Sequence, residues 1–194
     1  MDISNDQVIE ALKFVHILGL CMGLGGAIFA DLLGLRLLLS AHGGALDGVF
    51  FRIHDFVLIG LVVLWASGLG LAILRFNLSD VPLKVLAKIA LVSILTMNSA
   101  RIRERILLLV RCRHRPLIMH LPPGGLDDVV LFGSISFTCW FSALMLAKFT
   151  ILQQLPAVNV AGLVIFLWGV SGLALYALFT VARIAMRRRF AESG

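Results

Sequence analysis

Five ionisable or amide side chains interrupt long apolar stretches of this sequence, and they are its main candidates for chemistry. They are His16, Asp31, His54, Lys88 and Asn98. An imidazole can bind a metal ion or a haem iron, a lysine can pair with a carboxylate, and a carboxylate or amide can bind a cation or polar solute. Because such groups are costly in hydrocarbon, each one is a candidate functional residue.

His16 lies in the first apolar stretch, at the head of a face formed by small residues. Two ridges of small residues follow it at four-residue steps: Gly19, Gly23 and Ala27, and then Gly26, Ala30 and Gly34. This pattern predicts either a close helix–helix contact or a flat groove that a planar ring such as a porphyrin could enter.

His54 and Lys88 each have two interpretations. His54 precedes Asp55, and Trp65 falls on the same helical face 11 residues later. His54 is therefore either an interfacial histidine capped by Asp55 or a ligand. Lys88 either pairs with a ligand carboxylate, such as a haem propionate, or extends to the membrane surface.

Asp31 and Asn98 favour structural roles. A structural ion pair of Asp31 with Arg36, Arg52 or Arg101 is the preferred interpretation. Asn98 begins a polar stripe that marks where the third apolar run leaves the membrane.

The elements that must position these residues are transmembrane helices. The chain is 60% hydrophobic over 194 residues, well above the 45–50% or so of soluble domains. Five apolar runs exceed the length of about 20 residues that spans a bilayer: 9–38, 51–75, 83–108, 129–152 and 159–185. Gly and Pro turn signals separate them. The sequence predicts one all-α domain over residues 1–194, a polytopic membrane helix bundle with five transmembrane helices.

The distribution of the 17 cations predicts the orientation of this bundle. Twelve arginines fall on one side: Arg36, Arg52, Arg101, Arg103, Arg105, Arg111, Arg113, Arg115, Arg183, Arg187, Arg188 and Arg189. The remaining five cations fall on the other: Lys13, Arg75, Lys84, Lys88 and Lys148. Cytoplasmic loops of membrane proteins collect Lys and Arg, so the N-terminus is expected outside and the C-terminus in the cytoplasm.

This orientation separates the candidate residues into two groups. His16 and Lys88 are expected in the outer leaflet, and His54, Asp31 and Asn98 in the inner one. The two histidines should lie about 15 Å apart, at about 1.5 Å of rise per residue. One iron therefore cannot bind both, which leaves two haems, one five-coordinate haem, or a homodimer that supplies the second ligand.

Three short motifs carry a resemblance to known membrane proteins. They are the His-x-x-G opening at His16–Gly19, the aromatic-small-Ser-Gly segment at Trp65–Gly68, and Lys88 ten residues before the polar Asn98. Over residues 12–104 the chain resembles small bacterial membrane proteins of the copper-resistance D family and, more distantly, the HemJ-type protoporphyrinogen oxidases.

The resemblance implies a membrane protein that binds haem b or copper. In the HemJ-type proteins the first-helix histidine is a haem ligand and the third-helix lysine is functionally important, which implies these roles for His16 and Lys88. The chain has Asn98 where those proteins carry a histidine, so that ligand is missing. It also lacks the methionine or cysteine cluster that would hold Cu(I).

The leading hypothesis is a cytochrome-like, haem-b-binding protein of the bacterial cytoplasmic (inner) membrane, acting in electron transfer or redox sensing. The expected cofactor-binding residues are His16, His54, Trp65, Lys88 and Asn98, with His16 and His54 as iron ligands. If the protein is an enzyme, it is expected to be a membrane oxidoreductase. The expected partners are the lipid bilayer, a redox protein and a second copy of the chain, but no nucleic acid. The alternatives are a copper or small-solute transporter or channel, and a membrane scaffold without cofactor.

Overall fold

Five long helices form the molecule. The structure is a computed structural model that describes residues 5–39, 45–76, 82–110, 118, 121, 124–149 and 155–192. The helices are α1 (Asn5–Leu39), α2 (Ala45–Arg75), α3 (Leu83–Val110), α4 (Gly125–Lys148) and α5 (Ala157–Glu192). The described residues contain no strand. The predicted all-α, five-helix fold is therefore confirmed.

Proline and glycine set three of the helix starts. The carbonyl of Pro82 accepts the backbone N–H of Val85 at 2.8 Å, and that of Pro156 accepts the N–H of Asn159 at 3.0 Å. Gly124 precedes α4 with φ of 80°, a left-handed conformation that glycine adopts without steric cost. The helix thus starts at Gly125 and ends at Lys148, earlier at both ends than the predicted run 129–152.

The outer surface of the bundle is apolar. All five helices are long and apolar enough to cross a membrane. Large side chains such as Phe29, Val62 and Ile73 are 66%, 67% and 76% exposed. Soluble monomers rarely expose such a continuous apolar surface, whereas hydrocarbon solvates it at no cost. The chain is therefore a multi-pass membrane protein in contact with lipid.

Helices α1 and α2 pack closely along the glycine face of α1. A Cβ added at Gly60 would lie 2.5 Å from the backbone nitrogen of Gly23, and one added at Gly19 would lie 2.9 Å from Val63 Cγ1. At Gly26 an added Cβ would meet Val57. Around Gly19, Gly23 and Gly26 the face is therefore filled by neighbouring helices, as the helix-contact interpretation predicts. Farther along the second ridge, Ala30 and Gly34 line a cavity that is described below.

Helix α4 holds the rest of the bundle together. Its Trp140 packs with Leu61, Leu64, Leu91 and Leu95 in the main apolar core. Hydroxyl contacts join α4 to α5. Trp168 Nε1 donates to Ser134 Oγ at 3.1 Å, and the hydroxyls of Thr138 and Ser171 lie 3.0 Å apart.

The helices alternate in direction, which gives the bundle two distinct ends. The arginine-rich end is the one where α1, α3 and α5 finish and where α2 and α4 begin. Its described cations are Arg36, Arg52, Arg101, Arg103, Arg105, Arg183, Arg187 and Arg188. The opposite end carries Lys13, Arg75, Lys84, Lys88 and Lys148.

Candidate functional site

The first candidate site is His16, in the half of the bundle toward the opposite end. Its Nδ1 lies 2.9 Å from the hydroxyl oxygen of Ser67 on α2. That hydroxyl donates its own proton to the carbonyl of Val63 at 2.6 Å. It must therefore accept from His16, which places the imidazole proton on Nδ1 and leaves the lone pair on Nε2.

The surroundings of His16 are shaped by Ser67, Gly68 and Lys88. A Cβ added at Gly68 would lie 3.4 Å from His16 Cε1, so the missing side chain makes room for the ring. The Leu64 carbonyl lies near the same ring, and the ammonium of Lys88 is within electrostatic range of it. His16 and Lys88 thus lie in the same half of the bundle.

Trp65 is held by α3. Its Nε1 donates to Thr96 Oγ1 at 3.0 Å. The threonine hydroxyl in turn donates to the carbonyl of Val92 at 2.8 Å. Trp65 is not among the residues that surround His54, although both were expected on one helical face.

The second candidate site is a cavity of about 440 Å³ in the arginine-rich half. All five helices contribute to its wall, and most of the lining is apolar. Its polar lining residues are Asp31, His54, Asn98, Ser99, Ser136 and Ser171. An apolar cavity of this size with a few convergent polar groups is typical of a binding site for a small molecule or cofactor.

His54 lies in the wall of this cavity and is 4% exposed. Its Nε2 lies 3.2 Å from the backbone carbonyl of Ser99. A carbonyl only accepts, so the imidazole proton is on Nε2 and the lone pair on Nδ1. One interpretation expected Asp55 to cap His54, but Asp55 does not do so. It pairs at the surface with Arg103, at 3.0 Å.

Asn98 and Ser99 supply buried polar atoms to the same wall, and each residue is 5% exposed. Asn98 Nδ2 donates to the carbonyl of Phe132 on α4 at 3.0 Å. The Asn98 Oδ1 and the Ser99 hydroxyl have no hydrogen-bond partner among the described residues. Buried polar atoms without a partner are rare in folded proteins, and here both belong to residues that line a cavity.

Asp31 also lines the cavity, on an exposed part of α1. Across the described residues, no ion pair joins it to Arg36, Arg52 or Arg101, and the structural ion pair expected for it is wrong. The ion pair described at this end of the bundle joins Asp55 to Arg103 instead, at 3.0 Å.

The two candidate sites are far apart. Ser67, which binds His16, lies 13 residues beyond His54 on α2, a rise of roughly 20 Å at about 1.5 Å per residue. Leu61, Leu64, Leu91 and Leu95 fill the space between them. One iron cannot bind both histidines. A transport path would need polar residues from both halves, His16 and Lys88 in one and Asp31 and Asn98 in the other. These two groups are likewise separated by the apolar core.

Sequence reasoning missed the two serines that orient these histidines. Ser67 lies inside the Trp65–Gly68 motif, and Ser99 follows Asn98, but neither was singled out. For Ser67 the available signal was a hydroxyl at membrane depth, where it needs a partner. Ser99 gave no such signal, because it meets His54 through its backbone carbonyl.

Comparison with known proteins adds no relative of this chain: no family model, no curated protein and no solved structure matches it. Within the described ranges, no three His, Cys, Asp or Glu side chains cluster closely enough to hold a metal ion between them.

Proposed function

We propose that this protein is a haem-b-binding, cytochrome-like membrane protein that acts in electron transfer or redox sensing, with His16 as an axial ligand. The observation that carries the proposal is the state of the His16 imidazole. Its Nδ1 proton is held by Ser67, so Nε2 presents its lone pair. A metal-bound histidine characteristically donates its other ring N–H to a fixed acceptor, which orients the ring and sets the tautomer.

The neighbours of His16 fit the same group. Gly68 leaves room for the imidazole beside α2, so the ring can keep the orientation that Ser67 sets. Lys88 supplies a cation within electrostatic range, suited to a propionate carboxylate. Haem b, when bound, supplies one-electron redox chemistry whose potential depends on its axial ligands and their hydrogen bonds. The role of Ser67 is to hold the proton at Nδ1.

His54 meets these requirements less well than His16. Its Nε2 proton is already used by the Ser99 carbonyl, so an iron would have to bind through Nδ1. A role for His54 as a second or second-haem ligand remains a prediction, as does a direct cofactor contact for Trp65 or Asn98.

The visible spectrum of the purified protein tests the proposal. We expect protein purified in detergent, or mixed with haemin after purification, to show a Soret band. The His16→Ala variant should lose this band, because the iron loses its ligand. The His54→Ala variant is the matched control, since it removes the imidazole in the other half of the bundle, and it should keep a Soret band.

Two results would contradict the proposal. One is wild-type protein that stays colourless and takes up no haemin. The other is a His16→Ala variant whose Soret band matches that of wild type in position and intensity, which would move the ligand elsewhere.

The orientation and location of the protein form part of the same proposal. The bias of cations toward the arginine-rich end supports a cytoplasmic C-terminus and an outer N-terminus in a bacterial inner membrane. Under this orientation His16 lies in the outer leaflet, and the redox partner, whose identity is open, approaches from outside. A phosphatase that is active only outside the cytoplasm should be inactive when fused after Gly194.

A further inference from the structure

We propose that the cavity in the arginine-rich half binds an organic cation with an apolar body, and that the Asp31 carboxylate holds the positive charge of this ligand. The ligand reaches the cavity from the bilayer. The inference uses no residue around His16, so it stands apart from the haem proposal and can fail or succeed without it.

The helical register of α1 places Asp31 in the cavity wall. Eight residues of α1 line the cavity, the first of which is Ala27 and the last Leu38. At 3.6 residues per turn, Asp31 falls about 40° from Ala27 and about 20° from Leu38 around the helix axis. It therefore lies near the centre of the arc of α1 that faces the cavity.

Asp31 is exposed although its neighbours on this face are buried. Ala27 and Leu38 are only 6% and 7% exposed, whereas Asp31 is among the exposed residues of α1. Phe29, on the lipid-facing side of the helix, is 66% exposed and falls about 160° from Asp31. The accessible surface of Asp31 therefore belongs to the open cavity rather than to the lipid-facing side.

The charge of Asp31 selects a cationic ligand. Among the described residues that line the cavity, Asp31 carries the only formal charge, because the other polar residues there are histidine, asparagine and serine. No described ion pair engages it. Arg36 falls about 140° from it around α1, outside the arc that faces the cavity. A carboxylate in apolar surroundings is costly unless a positive charge compensates it, and an anionic ligand would be repelled.

The rest of the wall selects an organic cation over a metal ion. Ca²⁺ and Mg²⁺ need six or more oxygen ligands, whereas the described lining offers one carboxylate among mostly apolar side chains. The volume of about 440 Å³ falls within the range of roughly 300–1,000 Å³ that holds small organic ligands. Aromatic side chains such as Phe137, which is 55% exposed, also line it, and their rings attract both cations and apolar groups.

The cavity opens toward the hydrocarbon beside Asp31. Its wall includes Leu32, Phe137 and Leu178, which are 61%, 55% and 49% exposed. Leu32 is the next residue after Asp31, so the carboxylate lies close to this opening. A ligand that partitions into the bilayer can therefore enter between apolar side chains and bring its charged group to Asp31.

The test compares a quaternary ammonium with an uncharged molecule of the same shape. The probes are tritiated benzyldimethyloctylammonium, whose charge does not depend on pH, and its analogue with carbon in place of nitrogen. The full-length protein is held on scintillant beads in an uncharged maltoside detergent, and the signal of beads without protein is subtracted. We expect saturable binding of the cation, at least about tenfold tighter than that of the carbon analogue. A tenfold preference corresponds to about 1.4 kcal/mol, which is less than the attraction between two unit charges in contact near a protein surface.

Two carboxylate variants assign the preference to Asp31. Asp31→Asn keeps the shape of the side chain and removes its charge, so the ratio of the two affinities should fall to about one. Asp55→Asn is the matched control, since it makes the same change in the same half of the bundle. Asp55 pairs with Arg103 at the surface and is not among the residues that line the cavity, so its replacement should leave the ratio unchanged. Because the readout is a ratio within each variant, partial loss of folded protein does not alter it.

Five results would each overturn the proposal. They are the absence of saturable binding, equal affinities of wild type for the two probes, an undiminished ratio in Asp31→Asn, and an equal loss in Asp55→Asn. The fifth is displacement of the cation by phosphatidylethanolamine as readily as by unlabelled probe, which would make the occupant a lipid headgroup.

Discussion

The two candidate sites of this protein present the same residue type in opposite states. His16 donates from Nδ1 to a serine hydroxyl and presents Nε2, whereas His54 donates from Nε2 to a backbone carbonyl and presents Nδ1. His16 has the imidazole state of a metal ligand but lies outside the large cavity. His54 lines that cavity with its Nε2 proton already engaged.

The comparison shows that the partner of a buried histidine decides what the histidine can do. Ser67 accepts from His16 only because its own proton goes to Val63. The Ser99 carbonyl can only accept, so the proton of His54 must be on the nitrogen that faces it. The His16 imidazole is thereby suited to an iron, whereas the Nε2 proton of His54 is already engaged by a carbonyl. Four variants test how far the two sites depend on each other and on the helix contacts around them.

The largest effect is expected at Gly60, where α1 and α2 are in close contact. A methyl group in the Gly60→Ala variant would collide with the backbone of Gly23, so α1 must move away from α2. Overpacking of this kind costs about 1–3 kcal/mol. Haemin uptake should fall, and thermal unfolding in detergent should shift to a lower temperature.

Gly25→Ala is the matched control for Gly60→Ala. A Cβ at Gly25 meets nothing within 4 Å, and alanine favours helix. If the two variants unfold at the same temperature as wild type, the close α1–α2 contact does not hold the sites in place.

Ser67→Ala should weaken the His16 site without affecting the other site. Without its hydroxyl the His16 ring loses the partner that fixes its tautomer, and loss of such a partner costs about 10–100-fold in metal affinity. Haemin titration followed at the Soret band measures this loss. An unchanged haemin affinity in this variant would contradict the role given to Ser67.

Asn98→Leu should have a smaller effect, on stability. It removes the bond from Nδ2 to the Phe132 carbonyl and so weakens the contact between α3 and α4. Interhelical hydrogen bonds in membranes contribute about 0.6 kcal/mol on average and up to about 2 kcal/mol. Ser99→Ala, whose hydroxyl has no partner among the described residues, should leave thermal unfolding unchanged. A larger loss for Ser99→Ala than for Asn98→Leu would contradict this assignment.

The smallest effect is expected for Asp55→Asn. The Asp55 and Arg103 side chains are 56% and 58% exposed, and exposed ion pairs contribute about 0–1 kcal/mol. Although Asp55 adjoins His54, its replacement should not alter thermal unfolding measurably. A clear shift of the unfolding temperature would show that this pair contributes more than an exposed ion pair.

The helices could be predicted from the sequence because each is encoded locally. A run of apolar residues longer than the bilayer forms a helix whatever its neighbours are, since hydrocarbon offers its backbone no other hydrogen-bond partner. The Pro82 and Gly124 starts, the alternation of direction and the concentration of cations at one end follow from the same local rules.

The sites depended on contacts between helices, which the order of residues does not specify. Nothing in the sequence shows that Ser67 faces His16, that the Ser99 carbonyl faces His54, or that Asp55 rather than Asp31 meets an arginine. The glycine face of α1 was compatible with a groove or a helix contact until α2 was found in it.

The sequence by itself therefore determined that five helices cross a membrane and which polar residues share each half of it. Only the tertiary structure decided which nitrogen each histidine presents and where a cavity remains. The physical reason is that helix formation in lipid is satisfied within one segment, whereas the tautomer of a buried imidazole and the shape of a cavity depend on atoms supplied by other helices.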